Sequence, residues 1–134
     1  MDKWTPSMVE ERLIEAADVL AGMPSHRVQG FYSLWPDMAG QASRQSPIRP
    51  SPDAIDRMEV TLGWFKWLKP EDVKLVWARA ENVRWKIICW RMGISRATAS
   101  LRFRYAISVI TCRLNGRTVH AKRSRRFVIE QCGA

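Results

Sequence analysis

The chain has 134 residues, 46% of them hydrophobic, and a formal net charge of +9. This length suits one domain, or one small domain with an ordered arm, and the apolar fraction argues against general disorder. No run of about 18 apolar residues occurs, which excludes a membrane span. The acidic N-terminal segment does not have the pattern of a signal peptide, so we expect a cytoplasmic protein.

The N-terminal part is predicted as a helix followed by an arm. Thr5-Pro6 is typical of a helix start, with Thr5 as the N-cap, and Gly22 and Pro24 end the helical pattern. Residues 1–23 are therefore the N-terminal helix and residues 24–51 a Pro/Ser-rich arm. The arm contains the large apolar residues Phe31, Tyr32, Leu34 and Trp35, so we expect part of it to pack on the domain.

Residues 52–115 are predicted as a compact helical domain, which makes the fold all-α. Asn115-Gly116 breaks the pattern, and residues 116–134 are predicted as a basic tail, with a short strand within residues 117–129 as the alternative. Four helices are predicted in this domain. The first is capped at Ser51 and ends near Trp67, and the second starts at Pro70 and is closed by Asn82. The third covers residues 84–92, and the fourth is capped at Ser95 and ends near Arg113.

The charge is divided unevenly between the two parts of the chain. Residues 1–81 contain ten Lys/Arg and twelve Asp/Glu, whereas residues 82–134 contain twelve Lys/Arg and one acid, Glu130. A solvated helix face normally mixes both signs, because like charges one turn apart are destabilising. The basic part therefore predicts a polyanionic partner, with nucleic acid as the first candidate and an anionic membrane surface as the second.

The last two helices of the domain have the spacing of a helix-turn-helix. Cys89 is the small residue in the first helix, Gly93 the turn glycine, Ile94 the apolar plug, Ser95 the cap, and Ala99 the small inward residue of the second helix. Double-stranded DNA is therefore the expected partner. The predicted DNA contacts are Ser95, Arg96, Ala97, Thr98, Ser100, Leu101, Arg102, Arg104, Lys86 and Arg91, with Thr98 and Arg102 on the flanks where phosphates lie.

The basic tail has two interpretations. It either supports nucleic-acid binding beside the helix-turn-helix, where an arginine-rich segment suits DNA or RNA, or it only raises solubility. The accessory residues are Arg117, Lys122, Arg123, Arg125 and Arg126.

Residues 52 to 113, in round numbers, resemble region 4 of bacterial sigma factors. The similarity is carried by LKPE at residues 68–71, by Val76, by WKIICWRMGISRATA at residues 85–99, and by Arg102 and Ala106. The resemblance implies a module that reads promoter DNA and binds RNA polymerase, and that recurs in phage activators and antiterminators. The chain departs from that family at Ile87, where glutamate is usual, and at the lysine inserted in the Leu-Pro turn. The whole chain is also similar to small phage- and prophage-associated proteins, a neighbourhood to which gene-transfer-agent regulators belong.

The seven tryptophans are mostly expected in the core. Trp64 and Trp67 are the exceptions, because with Phe65 between them they cover much of the helix circumference. They are predicted to form a protein-partner surface, for RNA polymerase or for a second protomer.

No catalytic constellation is found, so no enzyme activity, metal, cofactor or small-molecule substrate is expected. Glu10, Glu11 and Glu15 are interpreted as the solvated face of the first helix, and the cysteines Cys89, Cys112 and Cys132 as reduced thiols.

The sequence thus predicts a DNA-binding transcription regulator of phage or prophage type, associated with the bacterial nucleoid and acting as an activator or an antiterminator. Two alternatives remain open, a small terminase-like DNA-packaging protein and a nucleoid protein that binds without sequence preference.

Overall fold

The computed structural model describes residues 3–23, 50–117, 119 and 124–132. Within these residues the fold is all-α, as predicted, with a short 3-10 helix at Trp64–Trp67 and no strand. The predicted arm lies almost wholly outside the described residues. The helices are α1 (Pro6–Gly22), α2 (Pro52–Gly63), α3 (Pro70–Ala80), α4 (Trp85–Met92), α5 (Arg96–Leu114) and α6 (Arg125–Cys132).

Side-chain caps fix the start of α1, α2 and α5. Thr5 accepts a hydrogen bond from the amide of Met8 at 3.3 Å, and Ser51 accepts one from the amide of Ala54 at 3.2 Å. In both cases a proline follows at the first helical position, where its missing N–H costs nothing. Ser95 caps α5 in the same way.

The main core lies between α1, α2, the 3-10 helix, α3 and the C-terminal half of α5. Its largest fully buried side chain is Trp77, which meets the ring of Phe65 edge-on with 5.9 Å between the centroids. A smaller core of Leu75, Ala78, Val83 and Ile88 supports α4. The C-terminal half of α5 is therefore structural, whereas its first turn is exposed.

Two polar contacts tie distant parts of the chain together. The amide and carbonyl of Trp4 form a reciprocal pair of hydrogen bonds with the side chain of Asn115, at 2.9 and 3.0 Å. Arg57 donates two hydrogen bonds to the Glu15 carboxylate, at 2.9 and 3.1 Å, which links α2 to α1. Glu15 is therefore an ion-pair partner and not only part of a solvated face.

The C-terminal part differs from the prediction. Residues Arg125–Cys132 form α6, which packs on α5, so the interpretation as a short strand or plain tail is wrong for them. The Ser124 hydroxyl accepts a hydrogen bond from the amide of Phe127 at 3.2 Å, and Val128 is buried. Cys112 is disulfide-bonded while Cys89 is a free thiol, so the expectation of reduced thiols is wrong for Cys112.

Candidate nucleic-acid interface

The turn between α4 and α5 has the local geometry that the sequence predicts. Gly93 lies in the left-handed region at φ 67° and ψ 34°, where glycine is unstrained. The Ser95 hydroxyl accepts a hydrogen bond from the amide of Thr98 at 3.1 Å and lies 2.9 Å from the Thr98 hydroxyl. Ala99 is fully buried against the rest of the fold. This arrangement starts α5 abruptly and leaves its first turn exposed.

The cationic side chains on this surface are mostly solvent-exposed. Arg96 and Arg104 on α5 are exposed, and so are Lys86 and Arg91 on α4. Ala97 and Thr98 are also exposed, whereas Ser100 and Leu101 are half-buried. No acid lies between Glu81 and Glu130 in the sequence, so the cationic side chains that α4 and α5 expose outnumber the acids near them.

Arg102 has a different role from the predicted one. Its guanidinium binds Glu71 at 2.9 Å and Asp72 at 3.3 Å, and only 13% of its side chain is exposed. Asp72 itself is buried. Because α3 brings these carboxylates under α5, Arg102 holds the two helices together and does not offer its charge to a phosphate.

Arg96 and Arg79 both stack on the ring of Trp85. The central guanidinium carbon of Arg96 lies 4.3 Å from the ring centroid, and that of Arg79 lies 4.7 Å away. Burial, followed by the nearby charge of Arg96, lowers the pKa of Arg79. The sequence did not indicate that Trp85 positions the first arginine of α5.

A groove of about 580 Å³ lies between α5 and α6. Arg126, Ile129 and Glu130 form its α6 wall. The opposite wall contains five of the residues predicted to contact DNA: Ala97, Thr98, Ser100, Leu101 and Arg104. The structure therefore brings the predicted recognition face and one arginine of the predicted tail to the same groove.

The other predicted tail residues are distributed differently. Arg125 is exposed at the start of α6, and Arg117 donates a hydrogen bond to the carbonyl of Gln131 at 3.4 Å. Lys122 and Arg123 lie outside the described residues.

The chain matches a protein family over residues 21–110, the domain of unknown function DUF6362. The chain belongs to this family. The DUF6362 match contains α2 to α4 and most of α5, including Arg96 and Arg104, while α6 lies beyond its end. No curated protein and no solved structure matches the chain at a significant level.

The prediction that Trp64 forms part of a protein-partner surface in this DUF6362 member is wrong. Trp64 is 4% exposed and meets the ring of Trp4 edge-on, with 5.4 Å between the centroids. Trp67 is half-buried, with the Lys66 ammonium 5.3 Å from its ring centroid. Instead, Trp90 on α4 is 75% exposed, although the sequence pattern favoured a core position for it.

A second cavity, of about 300 Å³, lies where α1, α3, α4 and α5 meet. Glu10 and Arg79 face it together with the rings of Trp85 and Phe103. Burial raises the pKa of Glu10, and the charge of Arg79 opposes that rise. Glu10 is therefore half-buried and not part of a solvated face.

No cluster of metal-binding side chains is found in the described part of the chain. The same residues contain no helix that is long and apolar enough to cross a membrane.

Proposed function

We propose that this chain is a sequence-specific DNA-binding transcription regulator that binds duplex DNA through α5 and α6. The observation that carries the proposal is the exposed pair Arg96 and Arg104 on a capped helix, in a 53-residue stretch with one acid. A surface with such an excess of positive charge lowers the free energy of binding to a polyanion.

The first turn of α5 is the part that approaches the bases. Ser95 and the exposed Arg96, Ala97 and Thr98 lie at the N-terminus of the helix, where unpaired backbone amides also favour a phosphate. An arginine here suits the acceptor atoms of guanine in the major groove.

The groove between α5 and α6 extends this surface to a second helix. Arg104 lines one wall and Arg126 the other, so both guanidiniums can contact the same sugar-phosphate strand. In this arrangement α6 flanks the recognition helix and contributes phosphate contacts. Arg102 is not among the proposed DNA contacts, because its charge is already paired with two carboxylates of α3.

Contact with RNA polymerase is the second part of the proposal, and only the resemblance to sigma region 4 supports it. Because Trp64 is buried, the test uses Trp67, the partly exposed residue of the predicted partner surface. A pull-down of polymerase subunits from nuclease-treated host lysate, repeated with Trp67→Ala, tests this part. Absence of polymerase in both samples contradicts it and leaves DNA binding unaffected.

DNA binding is tested by fluorescence anisotropy with nuclease-treated protein and two duplexes, one selected from a randomised pool and one of random sequence. The variants are Arg104→Ala and Arg126→Ala, with Arg113→Ala as the control, since Arg113 is exposed at the opposite end of α5. Each of the two test variants should weaken binding and reduce the slope of log affinity against log salt by about 1. Arg113→Ala should change the affinity and the salt slope only a little.

Two outcomes contradict the proposal in different ways. If all three variants weaken binding equally, the charge acts diffusely and the surface is not the one proposed. If no sequence is enriched from the pool while binding stays strong and salt-dependent, the protein is a nucleoid-type binder without sequence preference.

A further inference from the structure

Val60 and Trp90 are the most exposed large hydrophobic side chains among the described residues. Val60 on α2 is 63% exposed and Trp90 on α4 is 75% exposed. The α2 helix packs on α1, whereas α4 packs on α3 and α5, so the two side chains belong to different parts of the fold. An exposed tryptophan is unfavourable in water and is enriched at the centres of protein interfaces.

The α2 face around Val60 is acidic. At 100° per residue, Asp53 and Asp56 lie within about 40° of Val60, and Glu59 lies about 100° away at the edge of the same face. All four residues are exposed. Among the buried residues of α2, Met58 points to the opposite side and Thr61 lies on the flank. Arg57, about 60° from Val60, is paired with Glu15 of α1. We call this set the α2 face.

The α4 face around Trp90 is basic. Lys86 lies one turn before Trp90 on the outer side of α4, and Arg91 follows it with its guanidinium carbon 5.4 Å from the Trp90 ring centroid. Ile88, the buried residue of α4, points to the interior. The α4 face therefore presents an aromatic ring beside exposed positive charges.

We propose that the α4 face of one copy docks on the α2 face of a second copy. The apolar centres meet as Trp90 on Val60, and the surrounding charges are opposite in sign, with Lys86 and Arg91 facing Asp53, Asp56 and Glu59. A second copy is favoured over another protein because each chain carries both complementary faces. Lys86 and Arg91 then contact the neighbouring copy and not a phosphate.

The contact is heterologous, because two different surfaces of the chain meet. Such contacts do not close a two-fold dimer, and they build a ring or an open row of subunits. The two helices have 12 and 8 residues, about 18 and 12 Å long, so the contact area is small and the association is weak. The inference does not depend on DNA binding.

Complementation between two disabled chains tests the interface. Trp90→Glu places an acid on the α4 face, and Val60→Arg places a base on the α2 face. Both positions are exposed, so both variants should keep the wild-type thermal stability. Met8→Glu on α1, another exposed hydrophobic residue, is the control.

The measurement is sedimentation velocity of nuclease-treated full chain, from about 5 to 500 µM at physiological salt. Wild type and Met8→Glu should form species larger than a dimer as concentration rises. Trp90→Glu alone and Val60→Arg alone should sediment as monomers. An equimolar mixture should associate again, because Val60→Arg retains an intact α4 face and Trp90→Glu an intact α2 face.

Three results would overturn the inference. One is a wild type that stays monomeric at about 500 µM. Another is a pair of variants that associate as the wild type does. The third is a mixture that stays monomeric although each single variant is folded, because the intact α4 face of one variant should bind the intact α2 face of the other.

Discussion

The guanidinium of Arg96 lies over the ring of Trp85, with 4.3 Å between its central carbon and the ring centroid. Arg79 stacks on the same ring at 4.7 Å, so a single tryptophan holds two arginines of like charge. Stacking of this kind contributes about 0.5–1 kcal/mol at an exposed site. That is less than a bidentate contact to a base provides, so DNA can draw Arg96 away from Trp85.

The first prediction concerns Arg96 as a base-reading residue. Arg96→Ala should weaken binding to the selected duplex by about 1–3 kcal/mol, because a guanine contact is lost. Binding to random duplex should weaken less, and the sequence preference should relax at one position. Anisotropy titrations with both duplexes measure this. Equal losses on the two duplexes would show that Arg96 contacts a phosphate.

The second prediction separates the roles of Arg102 and Arg104. Arg102→Ala should lower the free energy of unfolding by about 2–4 kcal/mol, because Asp72 would remain buried without its partner. The helix dipole at the N-terminus of α3 still stabilises the Asp72 carboxylate. The loss of unfolding free energy should therefore be smaller than the largest losses caused by breaking a buried ion pair. Arg104→Ala, at an exposed position two residues later, should change stability by at most about 0.5 kcal/mol.

Denaturant unfolding of the two variants, together with their DNA affinities, checks this separation. Arg104→Ala should weaken DNA binding while keeping wild-type stability. Wild-type stability in Arg102→Ala would contradict the structural role of its ion pair.

Local signals predicted much of the fold. Caps at Thr5, Ser51 and Ser95 and the left-handed glycine at Gly93 depend only on residues within one turn, and the structure has all four. The α6 helix also has a local signal that was missed, since Ser124 caps the amide of Phe127.

Long-range packing accounts for the errors in the candidate site. Trp64 is buried because Trp4, which precedes the N-cap of α1, packs against it. Arg102 is paired because α3 brings Glu71 and Asp72 beneath α5. Helical periodicity states which residues share a face, but it does not state which face meets another helix. The same reason explains Trp90, which is 75% exposed although its spacing favours a core position.

The third prediction concerns the pH dependence of stability at Glu10. A raised pKa means that the folded state holds the proton more tightly, so stability falls as pH rises from the ordinary value of 4.5 through the raised pKa. Glu10→Gln should therefore raise the thermal midpoint at pH 7, because the amide carries no charge to bury. The gain over wild type should shrink on acidification and vanish below about pH 4.5.

Thermal unfolding of wild type and Glu10→Gln across this pH range measures the effect. Glu11→Gln is the control, because Glu11 is the neighbouring exposed acid on α1. A gain at Glu10→Gln that persists unchanged at pH 3.5 would mean that burial of the carboxylate is not its cause.

The fourth prediction compares two glycines, Gly63 and Gly93, that have different backbone conformations. A Cβ added at Gly63 or at Gly93 would meet no other heavy atom within 4 Å, so neither alanine variant creates a clash. Gly63 has φ −63° and ψ −21°, in the helical region, whereas Gly93 has φ 67°. Gly63→Ala should therefore stabilise the fold by about 0.4–1 kcal/mol, because the unfolded chain loses freedom.

Gly93→Ala should destabilise the fold by about 1–2 kcal/mol, since the Cβ then lies too close to the following carbonyl oxygen. Asparagine tolerates the left-handed region better, so Gly93→Asn should cost less than alanine. Denaturant unfolding of the three variants gives the comparison. If Gly93→Ala were as stable as wild type, α4 and α5 would not be joined by a left-handed turn. That result would also contradict the position of the first turn of α5, which depends on this turn.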